Sequence, residues 1–260
     1  MRLTLAQKIG AAILALLLGL ACLQPYFYPM DMSFQDLTNL LAEPSSESWL
    51  GTDHLGRDML ARLASAIRLS FGLSLFSVAC ALVAGLLLGI LAGFFGGWLD
   101  RALSFLCDLI MALPGLLLIL LFASLAPGAF WTLYLGISLV MWVEFFRVVR
   151  AISSTLASSS EIQSSRLMGM PLWYCFKRHL FPRLLPMVAT LSAFSLGNAI
   201  LALATLGFVS VGLRPPTAEL GLMMTELFPY YYEAPWIFAQ PVLAVFLLVL
   251  SLQLLSGRVK

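Results

Sequence analysis

Few side chains in this chain have the types and the spacing that enzyme chemistry requires. The two histidines, His54 and His179, lie far apart. The four cysteines are scattered with no C-x-x-C pair, which favours small buried apolar side chains for most of them over disulfides or metal ligands. The sequence contains neither the G-x-x-x-x-G-K-[ST] phosphate loop nor the H-E-x-x-H zinc motif. The pattern disfavours an enzyme, and we expect neither catalytic residues, nor a bound cofactor, nor a metal site on this chain.

The most distinctive polar stretch is Glu161–Pro186, which lies between two long apolar runs. A connection that only joins two membrane helices does not need 26 residues of this kind. The stretch contains a Gly169-Met170-Pro171 break, four basic residues and two prolines: Arg166, Lys177, Arg178, Arg183, Pro182 and Pro186. It predicts two short helices that meet at Gly169, a residue suited to a helix end with positive φ. We expect this stretch to be presented to another protein on the cytoplasmic face.

The elements that must position this stretch are membrane helices. Of the 260 residues, 61% are hydrophobic and 11% are charged, and the mean hydropathy is +0.96. A soluble domain carries about 25% charged residues. Six apolar stretches are each long enough to span about 30 Å of hydrocarbon. They are predicted near Ile9–Tyr28, Phe71–Phe95, Ala102–Ser124, Phe130–Val149, Met187–Val211 and Ile237–Leu255. The sequence thus predicts an all-α polytopic membrane protein, with a tight hairpin at Pro127-Gly128.

The distribution of Lys and Arg predicts the orientation. With the N-terminus inside, 11 of the 15 basic residues are cytoplasmic: Arg2, Lys8, Arg101, Arg147, Arg150, Arg166, Lys177, Arg178, Arg183, Arg258 and Lys260. The other four lie outside: Arg57, Arg62, Arg68 and Arg214. The reverse orientation would invert these numbers, so both termini are expected inside. The start of the chain also resembles a secretory or lipoprotein signal, but Gly19 stands where such a lipoprotein signal has Leu. An uncleaved first helix is therefore favoured.

Two segments are predicted on the outer side, where nine of the 13 acidic residues fall. The first segment, residues 29–70, is polar at its start and contains Leu50–Asp58. Apolar positions at helical spacing then predict an interfacial helix capped by Thr52 or Asp53. The second segment, Gly212–Trp236, contains prolines, acidic residues and a run of tyrosines. It favours a re-entrant or surface loop, with the tyrosines in an aromatic belt rather than in contact with substrate.

Two acidic residues inside the predicted spans are candidate functional charges: Asp108 in the third span and Glu144 in the fourth. Glu144 can form an ordinary i,i+3 pair with Arg147, and this structural pairing is favoured over a role in substrate coupling. The second span carries a repeated G-x-x-x-G pattern, which predicts close packing against another helix. The three glycines of that pattern are Gly85, Gly89 and Gly93.

Three motifs together resemble one family of transport proteins. Leu50–Asp58, LGTDHLGRD, is similar to the external L-G-T-D-x-x-G-R-D motif of permease subunits of bacterial ABC importers in the dipeptide, oligopeptide and nickel group. Glu161–Pro186 resembles the family's E-A-A loop, which docks on the ATPase. Gly212–Gly221 resembles its G-L-x-x-P-x-x-E-W-G motif. Asp108 and Pro114 also match the family's D-x5-P pattern.

The resemblance implies a type I ABC importer-like permease core in the bacterial inner membrane. Residues 1–70 would form the first membrane helix and the external segment with its interfacial helix, and residues 71–260 a five-helix core containing the coupling loop 151–186. The implied ATPase-coupling residues are Gln163, Ser164, Ser165, Arg166, Gly169, Met170, Trp173 and His179. The implied external motif residues are Gly51, Thr52, Asp53, Gly56, Arg57 and Asp58.

The chain departs from the family pattern at two places. Gln163-Ser164-Ser165 replaces the E-A-A triplet, which removes the carboxylate and leaves Glu161 as a candidate replacement. Leu220 replaces the tryptophan of the third motif. These departures bear on individual contacts with the ATPase rather than on the existence of a docking surface.

The resemblance implies that the chain forms half of a translocation path in membrane lipid. Its implied partners are a homologous second permease subunit, two ATPase subunits that carry the ATP and Mg²⁺, and an extracytoplasmic binding protein, with no nucleic acid. Trp49–Asp58 and Ser165–Leu167 look more like the nickel-type members, which favours nickel, another metal or a metal chelate as cargo. Di- or oligopeptides are the alternative. A membrane enzyme, an assembly subunit and a secondary transporter are the competing classes, and the docking stretch argues against the last.

Overall fold

The computed structural model describes residues 4–257. Within this range the secondary structure is helical, apart from one isolated antiparallel bridge between Thr52 and Asp58. The helices are α1 (Leu5–Phe27), α2 (Met59–Phe95), α3 (Gly97–Met111), α4 (Gly115–Leu125), α5 (Phe130–Ala157), α6 (Ser160–Leu167), α7 (Leu172–Cys175), α8 (Phe181–Phe208), α9 (Leu220–Leu227) and α10 (Pro235–Ser256). A π-helical turn, Phe176–Leu180, joins α7 to α8, and a 3-10 turn, Phe228–Tyr230, follows α9. Arg2, Arg258 and Lys260, which contribute to the predicted charge bias, lie outside the described residues.

The six predicted spans are present, although the third is broken. Five helical runs are long and apolar enough to cross a membrane, and α3 and α4 qualify together with an 83° bend between them. The Gln7 side-chain amide, near the start of α1, donates to the Gly257 carbonyl at the end of α10 over 2.8 Å. Both ends of the described chain therefore lie on the same side, which requires an even number of crossings. The helices α3 and α4 must then cross once, as one broken span.

The break lies at the elbow Ala112–Pro114, which the sequence analysis did not predict. Proline has no N–H to donate and restricts the residue before it to non-helical conformations. Pro114 takes an extended conformation with ψ 126° just before α4 begins. The predicted hairpin that follows is confirmed. Four residues join α4 to α5, and Gly128 among them has φ +85°.

The prediction of a separate interfacial helix before Phe71 is wrong, because α2 runs without interruption for 37 residues from Met59. Met59 and Ile67 are buried in the main apolar core rather than laid on a lipid surface. The predicted caps are also wrong. Asp58 caps α2 by accepting a hydrogen bond from the Ala61 amide over 2.8 Å.

Two span boundaries on the cytoplasmic side differ from the prediction. Helix α5 continues past Val149 to Ala157, and α8 begins at Phe181 rather than at Met187. Pro182 lies in the first turn of α8, directly after the π-helical turn, and Pro186 is accommodated inside the helix. The prolines therefore do not separate the cytoplasmic stretch from the membrane helix that follows it.

Close packing between α2 and α5 confirms the prediction from the repeated G-x-x-x-G pattern. A Cβ added at Gly89 would lie 2.9 Å from the Val149 Cβ, and one added at Gly93 would lie 2.5 Å from the Arg150 carbonyl oxygen. Gly85 is equally tight against Phe145. Only glycine permits this separation of the two backbones, so α2 and α5 form one packed unit.

The second outer segment is more ordered than the predicted loop. It contains α9, whose Leu220, Met223 and Leu227 are buried in the main core. Glu219 caps this helix by accepting hydrogen bonds from the Gly221 and Leu222 amides over 2.9 and 2.8 Å. The segment is therefore a short helix seated on the outer ends of the spans, and the prediction of a re-entrant or surface loop is wrong for residues 220–227.

Candidate coupling site

The cytoplasmic stretch forms the predicted pair of short helices. Helix α6 ends at Leu167, and Gly169 follows with φ +76°, a left-handed conformation that favours glycine. The Gly169 and Met170 amides donate to the carbonyls of Arg166 and Ser165 over 3.0 and 3.1 Å, which closes the last turn of α6. The chain then reverses into α7, so Gly169 marks the corner of the site.

A second apolar cluster fixes this corner to the membrane helices. Ile162 from α6, Cys175 from α7 and Leu180 from the π-helical turn pack with Val149 of α5 and Leu184 of α8. All five side chains are buried. We call α6, α7 and the π-helical turn, residues 160–180, the coupling platform. The coupling platform cannot tilt without disturbing α5 and α8, because interiors packed this closely transmit displacement.

Polar contacts add ties between α6 and the following helix. Glu161 accepts two hydrogen bonds from Arg183, over 2.9 and 2.8 Å. The Ser165 hydroxyl lies 3.2 Å from the His179 Nε2 and donates to the Glu161 carbonyl over 2.9 Å. Glu161, the candidate replacement for the missing family carboxylate, is thus engaged within its own chain. Ser165 and His179, predicted coupling residues 14 positions apart, are brought together.

The outward side of the coupling platform is apolar and basic. Leu167 is 90% exposed, Met168 75% and Trp173 68%. Gln163, Ser164, Met170, Lys177 and Arg178 are also exposed. Single exposed apolar residues are ordinary, but several large ones within one short stretch favour an interaction surface.

Arg166, another predicted coupling residue, lies over a membrane helix instead of projecting freely. Its guanidinium carbon is 4.7 Å from the centre of the Phe94 ring, near the end of α2. This cation–π contact ties α6 to α2 as well as to α5 and α8. Three membrane helices therefore meet the coupling platform.

On the outer side, the external motif forms a buried ion network. The Asp53 carboxylate accepts hydrogen bonds from the Leu55 and Arg57 amides and from the Arg57 Nε over 2.8, 3.0 and 2.6 Å, and it pairs with Arg62. Both arginines also pair with Glu226 of α9. Burial alone would raise the pKa of Asp53, but the charge of Arg62, the backbone amides and Arg57 outweigh burial and hold that pKa below its ordinary value.

The rest of the external motif shapes the outer segment. The Thr52 hydroxyl accepts from the Ala42 amide over 2.9 Å and donates to the Asn39 carbonyl. Gly51 and Gly56 have φ of +81° and +70° and leave no space for a Cβ beside the backbone of Ala42 and Asp36. The motif therefore has an architectural role that depends on glycine at two positions.

His54, in the middle of the external motif, stacks on Tyr230 with 5.1 Å between ring centroids. Burial lowers the pKa of His54, and the charges of Arg57 and Arg62 add to this against the opposing effect of Asp53 and Glu226. His54 is thus held neutral, and it joins the external motif to the end of the second outer segment.

Sequence reasoning missed Arg62, Glu226 and Tyr28 as members of the outer site. Tyr28 donates to the Asp58 carboxylate over 2.7 Å, and burial together with this carboxylate raises the pKa of Tyr28 to about 12. Glu226 lies 169 residues from Arg57 along the chain. No local pattern marks such a partner. The local sequence balances Arg57 and Arg62 with Asp53 and Asp58, and because Asp58 caps α2 instead, no sequence signal pointed to Glu226.

The candidate intramembrane charges are not arranged as predicted. Arg147 pairs with Asp108 over 2.7 Å rather than with Glu144, and Arg150 pairs with Asp100. The i,i+3 prediction for Glu144 is therefore wrong. The Glu144 carboxylate instead accepts a hydrogen bond from the Ser195 hydroxyl of α8, over 3.4 Å. Pairs between α5 and α3 are possible because the elbow turns α3 toward the inner half of α5.

The fold and the sequence match known transport proteins. The family model described as "Binding-protein-dependent transport system inner membrane component" matches residues 85–259. In a comparison of structures, a chain of the MetNI methionine ABC transporter in an inward-facing conformation superposes with a TM-score of 0.56. The identity is 18%, and the match covers 75% of this chain and 91% of that chain.

Similar proteins of known name extend the match through the external motif. The glutathione transport system permease protein GsiD of Pectobacterium atrosepticum is 32% identical over 94% of this chain and 82% of its own length. The nickel transport system permease protein NikC of Escherichia coli is 30% identical over 97% and 91%. The di/tripeptide transport system permease protein DppC of Pseudomonas aeruginosa is 34% identical over 96% and 85%.

These matches agree with the helical fold and its membrane-spanning helices described above. The family model covers more than half of the chain, and three relatives match nearly all of it. The chain belongs to the binding-protein-dependent ABC importer permeases of the bacterial inner membrane, in the group that includes the peptide and nickel permeases.

Proposed function

We propose that this chain forms half of the translocation path of an ATP-driven importer and that the coupling platform receives the mechanical input. A homologous second permease completes the path, and two ATPase subunits, which bind ATP and Mg²⁺, dock beneath. The observation that carries this proposal is the exposed rim of Leu167, Met168 and Trp173, held on a rigid base. An apolar rim flanked by Lys177 and Arg178 suits a partner groove that is apolar inside and acidic at its edge.

Closure of the two ATPase subunits would move the translocation path through the buried contacts of the coupling platform. A push on α6 and α7 is passed to α5 and α8 through the buried Ile162 and Cys175. Residues Leu172–Phe208 form one helical run of 37 residues, so a displacement at its inner end becomes a tilt of the whole span. The predicted coupling residues Ser164 and Gly169 lie at the exposed corner where contact with the ATPase would begin.

The outer segment suits a docking partner on the opposite side. It surrounds a hollow of about 390 Å³ whose acidic lining residues are Asp31, Asp36, Glu43, Glu47 and Asp58. A surface of one sign favours the encounter with a partner of the opposite sign. The extracytoplasmic binding protein would meet the importer here, and the Asp53–Arg62 network would keep this surface in register with α9.

For the cargo, we propose nickel, another metal or a metal chelate, on the likeness of Trp49–Asp58 and Ser165–Leu167 to the nickel type. The match to the nickel permease NikC over 97% of this chain supports it. Di- or oligopeptides are the second candidate, favoured by the 34% identity to the di/tripeptide permease DppC. The folds of the two types are shared, so the cargo has to be measured.

The test is the ATPase activity of the complex in lipid nanodiscs, with the permease co-expressed with its neighbouring genes. The binding protein is loaded in turn with Ni²⁺, a Ni²⁺–chelator complex or a dipeptide. Stimulation by a metal form alone supports the metal cargo, and stimulation by the dipeptide alone replaces it with the peptide cargo. If no ATPase co-purifies with the chain, the proposed coupling role is wrong.

A matched pair of variants tests the docking rim itself. Leu167→Glu places a charge on the exposed rim, and Leu37→Glu makes the same change at a 66% exposed leucine on the outer segment. Loss of a central interface residue costs about 2 kcal/mol, or about thirtyfold in affinity. We expect ATPase co-purification to fall for Leu167→Glu only. Equal co-purification of both variants would place the ATPase elsewhere.

A further inference from the structure

Glu144 is the one acidic residue in the described membrane helices without a basic partner. Asp108 pairs with Arg147 and Asp100 with Arg150, whereas residues 4–257 place no Lys, Arg or His nitrogen within 4.0 Å of the Glu144 carboxylate. Its hydrogen-bond partner there is the Ser195 hydroxyl, at 3.4 Å. An ionisable side chain inside a membrane helix is costly and therefore tends to serve a function.

Glu144 lies near the middle of α5. At 1.5 Å per residue, it is about 21 Å along α5 from Phe130 and about 20 Å from Ala157. Ser195 is similarly central in α8, which runs from Phe181 to Phe208. Arg147 is one helical turn, about 4.5 Å, closer to the cytoplasm.

Two independent features show that this side of the chain does not face lipid. The Asp108 and Arg147 side chains are 68% and 47% exposed although they lie in spanning helices. The elbow Ala112–Pro114 is exposed as well, with Leu113 52% exposed. Exposed charges and non-helical backbone at membrane depth are tolerated where they meet protein or line a water-filled cavity. Gly115 packs on Val140, one turn outward from Glu144, which places the elbow beside the same stripe of α5.

We propose that Glu144, together with Ser195, is a station on the translocation path for the positively charged group of the cargo. This inference rests on the proposed function. The charged group is a metal cation or the ammonium of a peptide, because a carboxylate oxygen can coordinate the metal or accept a hydrogen bond from the ammonium. One carboxylate and one hydroxyl hold a cation weakly, which suits a path that must release it. The Arg147–Asp108 pair lies one helical turn along α5 on the cytoplasmic side of this station.

The experiment uses the whole importer in proteoliposomes and measures cargo moved per ATP hydrolysed. Three cargos distinguish the source of the charge: Ni²⁺, a dipeptide with a free N-terminus, and the same dipeptide N-acetylated. For Glu144→Gln we expect about a tenfold fall in charged cargo moved per ATP, the worth of one charge-assisted hydrogen bond, with ATPase activity retained. Glu144→Asp should move more charged cargo per ATP than Glu144→Gln. Ser195→Ala should move more than either of these variants and less than the wild type.

Glu233→Gln is the matched control, since it removes an exposed outer carboxylate. If Glu144→Gln moves charged cargo at the wild-type ratio, the inference is wrong while the proposed function stands. If Glu144→Gln, Glu144→Asp and Ser195→Ala all lose the second permease during purification, Glu144 pairs with that partner and the inference is also wrong. If the wild type hydrolyses ATP without moving any of the three cargos, the proposed function itself fails. Where Glu144→Gln does not assemble, Glu144→Asp and Ser195→Ala still decide between these outcomes.

Discussion

Substitution of Asp53 by asparagine isolates the outer ion network, because it removes one charge and little volume. The Asp53 carboxylate is fully buried and serves Arg57 and Arg62, whose side chains are 4% and 1% exposed. In the Asp53→Asn variant these two guanidiniums must share Glu226, which is itself 13% exposed. The backbone amides that donate to Asp53 Oδ1 can still donate to the asparagine oxygen, so the change removes the charge together with the acceptor of the two guanidiniums.

The expected loss of stability follows from the burial of the ion pairs that Asp53 forms with Arg57 and Arg62. Removing one partner of a buried, hydrogen-bonded ion pair costs about 3–5 kcal/mol, because the other charge stays buried without compensation. Since about 1.4 kcal/mol corresponds to a factor of ten, opening of the outer segment should become roughly 100- to 3,000-fold more frequent. The same change at a solvated pair would cost about 0–1 kcal/mol.

Amide hydrogen exchange of the assembled importer measures this opening directly. Peptides that cover residues 50–62 should exchange faster in Asp53→Asn, while peptides from α5 should not change. Asp36→Asn is the control, since Asp36 is only partly buried and its acceptor role toward Thr38 can pass to the asparagine oxygen. If Asp53→Asn exchanges no faster than Asp36→Asn, the buried network does not hold the outer segment and the reasoning fails.

The pH dependence of this effect has a definite sign. The pKa of Asp53 is held below its ordinary value in the folded protein. Its contribution is therefore complete above about pH 4, the range of an unfolded aspartate, and is lost as the pH falls through the folded pKa. The difference between wild type and Asp53→Asn should consequently be constant from pH 5 to pH 8, as approximate limits. A difference that grows across this neutral range would assign the effect to another group.

The remaining predictions concern three other contacts. The pKa of His54 is lowered, so the unfolded segment takes up the proton first as the pH falls below about 6.5. The opening of residues 50–62, measured as the ratio of the observed to the intrinsic exchange rate, should therefore increase with acidification in wild type and less in His54→Gln. Gly89→Ala should lower the thermal stability by about 1–3 kcal/mol through overpacking against α5, whereas Gly19→Ala, with no atom within 4 Å, should not. The half-exposed Glu161–Arg183 pair should give a coupling energy below about 1 kcal/mol in a double-mutant cycle.

The features that sequence predicted well are those set by local composition. The length and hydropathy of each apolar run fixed the number of spans, since every backbone group in lipid needs an intrahelical partner. The G-x-x-x-G spacing predicted the α2–α5 contact because the missing side chains leave a groove on one helix face. Gly169 was predictable for a different local reason, because a helix end with positive φ strongly prefers glycine.

The features that sequence did not predict depend on contacts between distant segments. Glu144 and Arg147 are close enough in sequence to pair, yet the elbow brings Asp108 within 2.7 Å of Arg147 and takes that arginine away. Local spacing gives the possible pairs, and tertiary geometry chooses among them. The interfacial helix failed similarly, because an amphipathic pattern near Met59 is equally consistent with a membrane surface and with the protein core that buries it.

The ion pairs of this chain differ in burial from one face to the other, and this difference bears on which parts can move during transport. The outer network around Asp53 is buried, so separating its members costs several kcal/mol. The inner Asp108–Arg147 pair is more than 40% exposed on both side chains, where separation costs about 0–1 kcal/mol. A push on the coupling platform reaches α5 through Val149, two residues from Arg147. The inner pair is therefore one that such a push would separate at little cost, while the outer segment and α9 would remain together.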